Sequence, residues 1–219
     1  MQVTVIDYKA GNLTSVLKAL RYLGAEPVVT DADLSPIEKA ERIVLPGVGH
    51  FAATKRLDST GMTSAIRAAI ARSVPFLGIC VGMQWLLDGS DEAPNQPGLG
   101  YFSGKCRRFP EAGEKVPHVG WNHLLPVVDP PRRLVAGIRP TDGGEYAYFT
   151  HSYYVPFSGV HVHPKASPFA PENVAASITE YVHRFASAIE HKNVFGVQFH
   201  PEKSGETGLK ILRNFLEIA

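Results

Sequence analysis

Val74-Pro75-Phe76-Leu77-Gly78-Ile79-Cys80-Val81-Gly82-Met83-Gln84-Trp85-Leu86-Leu87-Asp88 is the stretch from which the rest of the chain can be read. Its first half is a short apolar run opened by proline, the pattern of a buried strand in a parallel sheet. From Val81 onward Met83, Leu86 and Leu87 recur at helical spacing. Cys80 sits at the join, with Gly78 two residues before it and Gly82 two after. This is the layout of a nucleophile elbow with Cys in place of Ser. A sharp strand-to-helix turn crowds its neighbours, and the two glycines bring no side chain to clash. It also leaves the sulfur at a helix N-terminus, where backbone N–H groups favour a thiolate. A buried core cysteine fits the same stretch equally well, since free cysteine is among the most buried residue types. The surroundings must decide.

Upstream, residues 2–7 read as a strand. Leu13, Val16, Leu17, Leu20 and Leu23 follow as a helix between Asn12 as N-cap and Gly24 as stop. A second strand covers 26–30, and Ser35-Pro36-Ile37-Glu38 reads as a capping box that starts a brief helix. Residues 42–45 give a third strand, cut off by Pro46-Gly47-Val48-Gly49. Helices at about 51–57 and 61–72 lead into the opening stretch. Such alternation predicts a parallel sheet with helices on both faces. Ligands of such sheets bind outside the carboxyl ends of the strands, where Cys80 lies.

After Ser90 the texture changes. Residues 91–98 form a turn-rich exposed loop, and 100–128 read as extended segments broken by turns. An aromatic strand signature covers 145–155, with Tyr146, Tyr148, Phe149, Tyr153 and Tyr154. Residues 158–171 look like a loop or short hairpin excursion. Two strands, 186–191 and 194–200, flank a tight turn at Lys192-Asn193, and a helix over 205–218 closes the chain. Nothing marks a domain boundary, so one domain over 1–219 is expected.

A chain of 219 residues can bury a sizeable core without disulfides or metal. Twenty-two basic residues against 21 acidic ones leave a net charge of +1, which predicts neither a nucleic-acid nor a membrane surface. Two cysteines make no disulfide framework. Cys106, among Lys105, Arg107 and Arg108 and without an elbow around it, reads as structural. With no basic leader and no apolar run near eighteen residues, the cytoplasm is the expected compartment.

A cysteine nucleophile needs a base and a group to orient that base. Of nine histidines, His200 is the informative one: it ends the run Val194-Phe195-Gly196-Val197-Gln198-Phe199 and is followed by Pro201-Glu202. Proline biases His200 towards an extended backbone. There His200 and Glu202, two residues apart, would point to one side. If this strand lies beside the Cys80 strand, thiol, imidazole and carboxylate meet at one edge. A strand-ending turn with a solvated carboxylate explains the same residues. For the oxyanion of an acyl transfer, the Val81 N–H is one donor by elbow geometry. The Pro46-Gly47-Val48-Gly49 loop could turn a peptide inward as the other. His161 and His163 share a strand face but have no third ligand, so a surface hairpin is expected and no metal.

Gly78-Ile79-Cys80-Val81-Gly82-Met83-Gln84 together with Gln198-Phe199-His200-Pro201-Glu202 resembles the class I (triad) glutamine amidotransferases. Four more features resemble the branch serving histidine biosynthesis, the glutaminase subunits of imidazole glycerol phosphate synthases. They are Asp7-Tyr8 with Gly11-Asn12, Pro46-Gly47-Val48-Gly49, Pro117-His118-Val119-Gly120-Trp121-Asn122, and Glu202-Lys203-Ser204. Met83 points the same way, and the likeness runs from about residue 3 to 216.

The resemblance implies a flavodoxin-like, three-layer α/β fold with a mostly parallel sheet and an added antiparallel part in the C-terminal half. It implies that Cys80 forms a thioester with glutamine and releases ammonia, with His200 as base and acid and Glu202 orienting it. Val48 and Val81 would give oxyanion donors; Gly49, Gln84, His151, Ser152 and Tyr153 would bind glutamine. The implied partner is a (β/α)8-barrel cyclase that receives ammonia and makes imidazole glycerol phosphate and aminoimidazole carboxamide ribonucleotide. Asn12, Trp121, Asn122, Tyr148 and Lys203 would face that partner or the ammonia gateway; the alternative for Trp121 is an ordinary core aromatic and for Lys203 a solvated charge. No cofactor is implied. Lys9, where glycine is common, and Val119, where methionine is common, depart from the pattern on the partner-facing loops. The alternatives are the glutaminase of another synthase, such as that of pyridoxal phosphate, and a module that only docks a partner.

Overall fold

The computed structural model describes residues 1–10, 13–127, 132–139, 145–157, 161–162 and 174–218. Asn12, Gly11, His163 and most of the 158–171 excursion lie outside them. The N-terminal half runs β1 (Gln2–Ile6), α1 (Leu13–Tyr22), β2 (Glu26–Thr30), α2 (Ser35–Glu38), β3 (Ile43–Gly47), α3 (Lys55–Ser59), α4 (Met62–Ala71), β4 (Phe76–Cys80) and α5 (Val81–Trp85). Then come β5 (Gly89–Ser90), β6 (Phe102–Ser103), β7 (Lys105–Arg108), β8 (His118–His123), β9 (Leu125–Pro126) and β10 (Tyr146–His151). The chain ends with β11 (Tyr153–Pro156), β12 (His161–Val162), β13 (Ala175–Glu180), β14 (Arg184–His191), β15 (Val194–Val197) and α6 (Gly205–Glu217).

The main sheet has the order β2-β1-β3-β4-β15-β14-β11-β7-β5, with β13 on β14 and β9 on β13. From β2 to β15 all neighbours are parallel. The order 2-1-3-4-5, with β15 in fifth place, is that of the flavodoxin-like doubly wound sheet. β14 and β11 then add antiparallel strands, as expected for the C-terminal half. The central parallel strands β3, β4 and β15 are apolar runs buried at every position, because helices cover both faces, while the edge strand β2 is buried only at Thr30. Phe76, Leu77 and Ile79 of β4 pack into one continuous core with Leu45, Phe195 and Val197. β8 and β10 form a separate antiparallel ribbon, and β12 pairs with β6. Among the described residues no helix is long and apolar enough to cross a membrane.

Several local expectations need correction. Ser35 does not cap α2: Leu34 takes that place, and the Asp33 carboxylate accepts from the Ser35 N–H at 2.9 Å instead. The last strand stops at Val197, and Pro201–Lys203 form a 3-10 turn rather than extended chain. α5 ends at Trp85, so Leu86 and Leu87 are buried beyond the helix. β13 was not anticipated: Ala-Ala-Ser-Ile-Thr-Glu shows neither strict alternation nor aromatic content. Lys9 sits in the left-handed region at φ 63°, where glycine would be unstrained. Its ammonium bridges Asp7 and Asp31.

Candidate active site

Strand register assembles the site. Gly47 of β3 lies opposite Cys80 of β4, and Val197 of β15 lies opposite Ile79. The loop after β3 and the segment after β15 therefore flank Cys80 at the carboxyl edge. Cys80 has φ 53° and ψ −109°, a conformation that costs a non-glycine residue on the order of 1–3 kcal/mol. The neighbouring glycines make it attainable. A Cβ on Gly78 would overlap the Gly82 carbonyl oxygen, and one on Gly82 the Leu45 carbonyl oxygen. The opening stretch is thus an elbow, with the first turn of α5 pressed onto β3 and β4.

His200 follows β15. Its backbone N–H donates to Tyr148 O at 2.9 Å, which ties the carboxyl edge to the ribbon strand β10. Its Nδ1 lies 2.8 Å from Glu202 Oε1, both side chains being almost wholly buried. The 3-10 turn, not an extended backbone, brings the carboxylate under the ring. Burial opposes a charged imidazole most strongly. The Cys80 sulfur and then the Glu202 carboxylate outweigh it, and the His200 pKa is raised to about 10. Nε2 is buried and has no hydrogen bond of regular geometry among the described residues.

Cys80 opens into a cavity of about 340 Å³ lined by Val48, Gly49, Val81, Gln84, His151, Ser152 and Tyr153. Every residue that the resemblance implied for glutamine binding and the oxyanion thus borders one space. Glu92 also lines it; its Oε2 accepts from the Phe51 N–H at 2.7 Å. The Tyr153 carbonyl joins two arms of the site. Gln84 Nε2 donates to it at 2.9 Å, and His151 Nδ1 donates at 2.8 Å. A carbonyl only accepts, so His151 Nε2 is left as an acceptor and takes the Nδ1 proton of His118 at 3.1 Å. His118 Nε2 in turn faces Asn122 Nδ2 at 3.3 Å. Burial, foremost, pushes both rings down, His118 to about 4 and His151 to about 3. Both are therefore neutral at pH 7. The Tyr8 hydroxyl is buried behind Gly47 with no partner among the described residues. Burial and then Cys80 raise its pKa.

On the ribbon, Trp121 is 55% exposed, which removes the core-aromatic reading, and Val119 is 56% exposed. Trp121 and Tyr148 meet edge to face at 6.1 Å, with the Lys203 ammonium 5.8 Å from the Tyr148 ring centre. Asn122 is turned inward, donating to Glu180 O at 2.8 Å. Cys106 is fully buried, as a structural cysteine should be. Among the described residues no three His, Cys, Asp or Glu side chains gather as a metal site. Glu92, Gln198 and His118 join the site beyond the residues expected from sequence: Gln198 and His118 lie beside motif residues, whereas Glu92, in a polar loop, carries no local signal.

The glutamine amidotransferase class-I family pattern matches residues 4–219. The imidazole glycerol phosphate synthase subunit HisH of a Nostoc species is 44% identical over 98% of this chain and 94% of its own. The protein of the same name from Caldanaerobacter subterraneus is 44% identical over 99% of this chain and 98% of its own. A solved structure described as a glutamine amidotransferase superposes with a TM-score of 0.69 at 19% identity, covering 98% and 97% of the two chains, and speaks for the fold. The chain belongs to the class I glutamine amidotransferases and, within them, to the HisH family of imidazole glycerol phosphate synthase subunits.

Proposed function

We propose that this chain, as one domain over 1–219, hydrolyses glutamine at Cys80 and hands the ammonia to a (β/α)8-barrel cyclase. Above all, the strained Cys80 supports this reading: it stands between the cavity and the His200–Glu202 pair. In the first half-reaction the Cys80 thiolate attacks the side-chain amide carbon. The oxyanion is held by the Val48 and Val81 N–H groups, each worth about 3 kcal/mol when aligned. The C–N bond breaks as His200 gives its proton to the leaving nitrogen, producing ammonia and a thioester. Water, deprotonated by His200, then cleaves the thioester to glutamate and returns the sulfur as thiolate. Glu202 holds the ring and balances its charge. Gln84 spends both N–H bonds on protein acceptors, which leaves its oxygen for a substrate donor. Glu92 brings a carboxylate suited to the α-ammonium of glutamine, beside Gly49, His151, Ser152 and Tyr153.

Ammonia in neutral water is mostly ammonium, which is no nucleophile, so a dry transfer to the cyclase is expected. The face for that subunit is the ribbon with Trp121, Tyr148 and Lys203; Asn122, next to Trp121 on the strand, points to the other side, at His118 and Glu180. Asn12 belongs to the same proposed face. The test is glutamine hydrolysis with and without the cyclase and its ribonucleotide. A large rise on assembly is expected, and equal rates would refute the reading. Cys80→Ala should abolish glutamine-driven synthesis by the complex and spare ammonia-driven synthesis. Loss of both would make Cys80 structural.

A further inference from the structure

The Cys80 sulfur has a second polar neighbour besides His200. Gln198 Nε2 lies 3.6 Å from Sγ, and the Gln198 side chain is fully buried. Which end of that carboxamide faces the sulfur is decided two links away. The Tyr153 carbonyl can only accept, so Gln84 turns its NH2 towards it. The same Gln84 nitrogen lies 3.1 Å from Gln198 Oε1. Gln198 must then present oxygen to Gln84 and its NH2 to Cys80. The reverse orientation sets two NH2 groups against each other and aims a carbonyl lone pair at the sulfur. One backbone acceptor thereby sets the polarity of a buried chain that ends on the reacting atom.

We propose that Gln198 is a catalytic residue: its carboxamide N–H donates to the Cys80 sulfur and favours the thiolate, with Gln84 and the Tyr153 carbonyl as its orienting groups. An anion accepts a stronger hydrogen bond than a neutral thiol, so a fixed donor shifts the equilibrium towards the ionised form. The same N–H serves the second half-reaction. As water attacks the thioester carbon, the C–S bond breaks, the electron pair passes to sulfur, and the donor meets the returning thiolate. The proposal rests on Cys80 being the nucleophile.

The test is the pH dependence of Cys80 alkylation by iodoacetamide in the full chain, with Cys80→Ala as the blank. Cys106 stays silent because it is buried and its thiol is pushed well above the ordinary range by burial and then by Asp91 and Glu92. Gln198→Leu removes the donor. Gln198→Glu keeps an acceptor for Gln84 and sets a carboxylate against the sulfur. Both should move the labelling midpoint up by roughly one pH unit or more, the Glu variant further, and slow labelling at pH 7 about tenfold. Glutaminase kcat should fall in the assembled complex while KM stays within about threefold. Should Gln198→Leu fail to fold, Gln198→Met, of similar length and without a donor, decides in its place, since a carboxylate would raise the midpoint by repulsion alone. An unmoved midpoint in the folded variant, with Cys80→Ala inactive, overturns the role of Gln198 and nothing else. Glutaminase activity retained by Cys80→Ala overturns the nucleophile assignment beneath it.

Discussion

The His200–Glu202 turn and the β8–β10 ribbon are one hydrogen bond apart, from the His200 N–H to Tyr148 O, yet they settle their side chains differently. At the turn, His200 and Glu202 are buried on each other, and Gln198, Gln84 and Tyr153 O close a chain of donors and acceptors. On the ribbon, Val119 and Trp121 leave more than half their surface in water. Large exposed apolar groups on one face mark a contact still to be made. Buried polar groups are costly unless paired, and His200 Nδ1 with Glu202 Oε1 meets that need within the chain. On the proposed reading, chemistry is built within the subunit, while control is left at a surface that another chain can cover.

The most severe test of this division is Glu202→Gln. An amide can hold the ring but cannot balance its charge, and it permits the wrong tautomer. The glutaminase kcat of the complex should fall by about 10³–10⁴ with cyclase affinity unchanged. A loss of only a few fold would mean that the turn is not the chemical centre. Trp121→Ala tests the other side. Cyclase affinity should drop by about 30-fold, corresponding to roughly 2 kcal/mol at a buried aromatic anchor. Thermal stability of the free chain should hardly move, because little of Trp121 is packed. A marked loss of stability would place Trp121 in the fold rather than at a docking face.

What could be read without coordinates divides along similar lines. β1 to β4 and their helices were legible because apolar runs, glycines and prolines act on their immediate neighbours. Gly78 and Gly82 announced the elbow, since a Cβ at either would collide with backbone. Non-local facts were harder. β13 is small and buried on both faces, so it had no alternation to betray it. Ser35 resembled a cap, but Asp33 was near enough to take its N–H, a choice that sequence spacing does not settle. Glu202 reached His200 by a turn that an extended reading did not foresee. Glu92 arrives at the cavity from a polar loop, where its neighbours give no sign of what it faces.

The histidine arm offers a milder test. His118 and His151 fold as neutral rings with pKa values lowered to about 4 and about 3 from 6.5. As pH falls through 6.5 the unfolded chain takes up protons at both positions and the folded chain does not. Their contribution is therefore complete above pH 6.5 and is lost as pH drops towards 4. For His151 alone the loss by pH 5 amounts to roughly 2 kcal/mol at most. Urea titrations at pH 7.5, 6 and 5 should show His151→Asn closing its stability gap to the parent as pH falls. A constant gap would mean that His151 takes up its proton as readily in the folded as in the unfolded chain.

Tyr8→Phe carries the smallest effect and asks whether the catalytic edge is as complete as its hydrogen bonds suggest. The Tyr8 hydroxyl is wedged behind Gly47, buried and unpaired among the described residues. Leaving a polar group so placed costs about 1–3 kcal/mol, and phenylalanine keeps the ring while removing the oxygen. The expected result is a gain of about 1 kcal/mol, or 2–4 °C in Tm for a chain of this size. A loss of similar size would show that the hydroxyl has a partner in solution, such as an ordered water beneath the Pro46–Gly49 loop. The carboxyl edge would then hold a polar link, carried by solvent, between Tyr8 and the Pro46–Gly49 loop.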